Sequence, residues 1–135
     1  MRSIYLATMI AAFCVASTST AQEGGQTEIP RGLWKTEPDS RGEYFLVRTR
    51  GCGRALCARV QRAKKRGGYD TPSSAVGQKV LLRMQPQPDG SFFGEYQDGI
   101  GRSFKGSRAE VTGRILRLRA CSEHICKDSI WTRVK

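Results

Sequence analysis

Of the five cysteines, the four beyond residue 21 fall into two pairs of the same spacing, Cys52 with Cys57 and Cys121 with Cys126, each a C-x4-C. Four thiols could join as disulfides, hold a zinc ion or exchange electrons. Redox exchange uses C-x-x-C, and two intervening residues are also the commoner spacing in zinc sites. An even count in a small exported chain reads as disulfides. Three connectivities are possible. Pairing within each C-x4-C is favoured, because each pair flanks a short turn. Such small loops restrict the unfolded chain by about 2 kcal/mol each. Little else could do covalent chemistry. His124 is the single histidine, beside Glu123 inside the second cysteine turn, and reads as an exposed turn residue. It leaves no other histidine from which to build a Ser-His-Asp triad. Glu95 and Asp98 are the nearest candidates for paired carboxylates, but they sit at a strand end and a turn rather than across one cleft. Gly51-Cys52-Gly53 lacks the strand–loop–helix unit of a nucleotide site. The expectation is a protein without enzymatic activity, cofactor or metal.

The compartment follows from the start of the chain. Arg2 precedes an apolar run from Ile4 to Ala16, and Ser19-Thr20-Ala21 offers small residues for cleavage before Gln22, so residues 1–21 read as a signal peptide. The run is shorter than the roughly 18–20 apolar residues of a membrane span. Phe13 stands before Cys14, where a lipid-anchor motif wants a small residue. A chain without membrane spans, periplasmic or secreted, is expected. Its charge is +11, of which only Arg2 lies in the first 21 residues, leaving +10 on residues 22–135. A charge of that size attracts polyanions of any kind and gives no specific indication of nucleic acid.

These residues need a frame, and the pattern of the chain describes one. Residues 22–30 read as a flexible leader and 31–135 as a single domain. Strands are expected at Gly32–Thr36, Glu43–Thr49, Leu56–Ala63, Val76–Met84, Ser91–Gln97, Arg102–Arg108, Arg114–Ala120 and Asp128–Val134. In Arg114–Ala120, Leu116, Leu118 and Ala120 alternate with Arg117 and Arg119, the period of a strand with one buried face. Val80, Leu82 and Met84 are expected to share a face, as are Phe92, Gly94 and Tyr96. Arg62–Ser74, with Arg62, Lys64, Lys65 and Arg66, reads as the longest loop and a gate. No stretch keeps a helical period, and turn signals recur roughly every 8–15 residues. The fold class is therefore all-β, an antiparallel up-and-down β-barrel of about eight strands.

Two stretches resemble the structural signature of lipocalin-like barrels: Gly32-Leu33-Trp34 on the first strand and Trp131-Thr132-Arg133 on the last. The resemblance implies that Trp34 plugs the closed end and Arg133 packs across it, with Gly32, Trp34 and Arg133 forming a structural clasp. Nearly the whole of residues 22–135 resembles the bacterial exported family called domain of unknown function 2147. The resemblance rests on Gly32–Thr36, Cys52-Gly53-Arg54-Ala55-Leu56-Cys57, Val76–Leu81, Asp89–Gly94, Leu116–Leu118 and Cys121–Arg133. It implies a lipocalin-like barrel in the periplasm and supplies no catalytic residues.

The functional expectation is a barrel that binds a small apolar or amphiphilic ligand inside, against Val80, Leu82, Phe92, Tyr96 and Leu118. The alternative is a basic envelope-associated protein that docks on an anionic lipid, a glycan or an acidic protein partner.

Overall fold

The computed structural model describes residues 28–135 together with Cys14. The remainder of the expected signal peptide, and residues 22–27 of the expected leader, lie outside the described residues. Eight strands follow in order: β1 (Gly32–Lys35), β2 (Tyr44–Cys52), β3 (Ala55–Lys64), β4 (Lys79–Pro86), β5 (Phe92–Gln97), β6 (Ser103–Thr112), β7 (Ile115–Cys121) and β8 (Cys126–Arg133). Each pairs antiparallel with its neighbours in sequence, and β1 pairs with β8 to close an up-and-down barrel. Among the described residues there is no helix, and so none long and apolar enough to cross a membrane.

The antiparallel order divides the connections between two ends. Residues 36–43, 65–78, 98–102 and 122–125 gather at one end. The tight turns 53–54, 87–91 and 113–114 gather at the other, with the approach segment 28–31 and the last residues of the chain. Both cysteine pairs bridge hairpins, Cys52 with Cys57 and Cys121 with Cys126, at Cα separations of 5.9 and 4.1 Å. A zinc site would need these thiolates free.

One continuous cluster fills the interior: Trp34, Val47, Leu56, Val60, Leu81, Met84, Phe92, Leu116, Leu118 and Trp131 among others. In β7 the alternation is simple, with Leu116, Leu118 and Ala120 buried and Arg117 and Arg119 exposed. β4 departs from it. Leu81 pairs with inward-facing Ala58 and is fully buried, while Leu82 pairs with Glu95 and stays half-exposed. The register slips between Leu82 and Gln85, at Arg83, whose φ of 44° is left-handed. A bulge of this kind adds a residue to one strand and changes which side chains face inward. The expected shared face of Val80, Leu82 and Met84 is therefore corrected to Val80, Leu81 and Met84. Gly94 fits here because a Cβ on it would meet the Met84 Cα at 2.9 Å.

The basic loop is also redrawn. Arg62 and Lys64 belong to β3, and the loop runs from residue 65 to 78. It is tied to the barrel by hydrogen bonds from Thr71 N to Ala63 O, Gly77 N to Val60 O and Val60 N to Gln78 O. Ala75 is buried within it.

Candidate functional site

The end that carries residues 28–31 and the last residues of the chain is closed. Trp34 and Arg133 are register partners across the β1–β8 seam, so their side chains meet without any loop to place them. The Arg133 guanidinium lies 4.4 Å from the centre of the Trp34 ring and donates to Arg31 O at 2.6 Å. Trp34 Nε1 donates to Thr49 Oγ1 at 2.9 Å, and that hydroxyl donates onward to Pro30 O. A Cβ on Gly32 would meet Lys135 O at 2.7 Å and the Arg133 side chain, which is why glycine suits that position. Leu33 bonds to the chain end on both sides, its N–H to Lys135 O and its C=O to Val134 N. A hollow of about 690 Å³ lies outside this base, walled by Glu28–Arg31, Gly90, Phe92, Val111 and Arg133. Ile29 packs from it against the core.

The opposite end is open. A cleft of about 440 Å³ lies between the turns, with Phe45, Tyr96 and Trp131 as its apolar part. Glu37, Asp39, Arg41, Glu43, Asp98, Arg102 and Lys127 supply its charged lining. Two of its turns are built alike. In Asp39–Glu43 and in Asp98–Arg102, the aspartate carboxylate accepts the N–H groups two and four residues on. In each, a left-handed glycine, Gly42 or Gly101, donates its N–H to the aspartate carbonyl. Aspartate holds such corners by mimicking a backbone turn, and glycine supplies the positive φ. The D-x-x-G that the two turns share is the sequence signal common to this end.

The electrostatics of the cleft are largely settled within it. Burial alone would raise the Asp98 carboxyl. The hydrogen bonds from Arg102 and from the Ile100 N–H outweigh that and hold it below its ordinary value. Burial, with the Asp98 charge nearby, pushes the Tyr96 hydroxyl up to about 12, so it stays protonated at any physiological pH. Among the described residues no carboxylate reaches Arg41 or Lys127 as an ion-pair partner. Lys127 instead stands over the Phe104 ring, 4.7 Å from its centre. The cleft thus offers an apolar floor, a neutral phenol, two cations outside any ion pair among the described residues, and three carboxylates, Glu37, Asp39 and Glu43, that are likewise outside one.

The five residues expected to line one cavity do not converge. Tyr96 lines the open-end cleft. Val80 and Leu118 are packed into the core cluster, and Phe92 is too, reaching the hollow at the closed base. Leu82 lies outside the cluster. The weaker chemical candidates also separate. Glu95 accepts a hydrogen bond from Ser103, whereas Asp98 pairs with Arg102. His124 and Glu123 are exposed in the 122–125 turn. Among the described residues no three metal-ligating side chains gather. No family model, curated protein or solved structure matches this chain.

Proposed function

We propose that the protein binds one small amphiphile, an apolar chain with an anionic headgroup, in the cleft at the open end, and acts by binding alone in the periplasm or outside the cell. The observation that carries the reading is the cleft itself. Its volume of about 440 Å³ falls within the usual range for small-molecule sites, and its apolar floor is set within a charged rim, a division that suits a ligand with an apolar and a polar part. Phe45, Tyr96 and Trp131 would cover the apolar part. Arg41 and Lys127 would meet the headgroup. The core cluster leaves the ligand at the mouth rather than in the barrel's centre. Two disulfides suit an oxidising compartment.

Native mass spectrometry of the protein from its own cells is the test. One acidic amphiphile per chain is expected, and it should be lost in an Arg41→Glu, Lys127→Glu variant. A chain that carries nothing when isolated, and takes up neither a fatty acid nor a lysophospholipid afterwards, would contradict the proposal.

A further inference from the structure

We propose that the outer wall formed by β2, β3 and β4 docks the protein on an anionic phospholipid surface. The charge of the barrel is unevenly divided. Strands β1–β4 hold eight Lys and Arg and no Asp or Glu, whereas β5–β8 hold six and three. On the second half two of the six are paired, Arg108 with Asp89 and Glu110, and Arg119 with Asp128. On the first half the register sets like charges side by side. Arg48 pairs with Arg59, and Arg59 pairs with Lys79, so three exposed cations stand in one row across three strands. Arg50 and Arg83 extend the patch on the same strands, both exposed. Among the described residues none of these five has a carboxylate within ion-pair distance, and only Arg62 and Lys64 share one, Asp70. Like charges directly opposite each other destabilise a sheet. A surface of opposite charge would offset that cost.

Three features favour lipid over nucleic acid. The wall is the convex outside of a barrel, and it offers no groove to follow a phosphate backbone. Its strands present no row of exposed aromatic rings on which successive bases could stack: Tyr44 is covered by Lys35 at 4.4 Å, and Tyr69 is a single ring at the margin. Half-exposed Leu33, Leu46 and Leu82 lie among the cations. At the wall's margin, the β3–β4 loop adds Lys65 and Arg66, with Tyr69 69% and Val76 45% exposed. Cations with interspersed apolar and aromatic side chains suit a headgroup layer.

The test compares three forms sharing one processed N-terminus: the wild type, Arg48→Gln/Arg59→Gln/Lys79→Gln, and Lys105→Gln/Arg117→Gln/Arg119→Gln on the other wall. Each is floated with phosphatidylglycerol-containing vesicles and with neutral phosphatidylcholine vesicles at two salt concentrations. The first triple variant should lose on the order of a hundredfold in affinity for anionic vesicles, from the usual worth of each cation near such a surface. The second should lose far less, wild-type binding should fall with salt, and neutral vesicles should bind poorly. Equal losses in the two variants, or wild-type binding in the first, would overturn the proposal. So would tighter binding to a single-stranded oligonucleotide or an acidic polysaccharide than to the vesicles, which would assign the wall to that partner.

Discussion

Replacing Arg133 with alanine should destabilise the barrel by about 2 kcal/mol, although the side chain is only half-buried. Two contacts are lost. The hydrogen bond from the guanidinium to Arg31 O is of the charged kind, worth about 1.5–3 kcal/mol. The stack on Trp34 at 4.4 Å adds about 0.5–1 kcal/mol at a partly exposed site. Partial exposure puts the sum toward the lower end. Trp34→Leu removes the ring and its hydrogen bond to Thr49 from a fully buried position, and should lose about 3 kcal/mol. If the two side chains act as a clasp, their losses are not independent. The double variant should lose about 4 rather than 5 kcal/mol, a coupling of about 1 kcal/mol. Arg133→Lys should recover less than half of the alanine loss, because an ammonium keeps the charge but not the planar stack. Urea denaturation followed by circular dichroism measures all four, with unchanged m-values as the condition for comparing midpoints. Additive losses, within about 0.3 kcal/mol, would refute the clasp. So would full rescue by lysine, which would reduce Arg133 to a charge.

Two further outcomes concern the open end. The Asp98 carboxyl is held below its ordinary value of 3.8, so its contribution is fully present above that pH and is lost as the pH falls through the lowered value. Asp98→Asn should therefore be less stable than the wild type at neutral pH, with the gap closing in thermal melts carried below pH 3.8; a gap that persists there would contradict the assignment. Gly99→Ala would place a Cβ 2.9 Å from the Phe45 ring and 3.4 Å from the Ala75 Cβ. Overpacking of this kind should reduce stability by about 1–2 kcal/mol and weaken amphiphile binding, and calorimetry would show whether both occur.

Much of the frame was legible because it depends on local period and turn chemistry. The Leu116, Leu118, Ala120 alternation needs only neighbours in sequence, and β7 follows it. The eight-strand barrel follows from such stretches separated by turns. β4 was misread for a reason that is not local: its bulge sits where Gly94 of the next strand lets Met84 approach closely. Arg62 and Lys64 looked like a loop because outward-facing strand positions carry the same charged residues that loops do. Their place in β3 is set by pairing with Leu46 and Tyr44. The open-end cleft was not legible as a site, since its lining comes from segments as far apart as Thr36 and Trp131. Only Tyr96 was singled out for ligand contact beforehand. The row Arg48, Arg59, Lys79 likewise exists only in the register between strands.

Trp34 and Trp131 are near neighbours across the β1–β8 seam, since Trp34 pairs with Arg133 and Trp131 stands two residues before it, but only Trp131 lines the cleft. Fluorescence titration with a brominated fatty acid, read against substitutions in the cleft, is the most direct measurement of where a ligand sits. Saturable quenching of the indoles in the wild type, lost in the Arg41→Glu, Lys127→Glu variant, is the predicted result. Quenching that survives in that variant would place the ligand away from the cleft, and no saturable quenching in the wild type would leave the cleft without a ligand of this class; either result contradicts the proposed site.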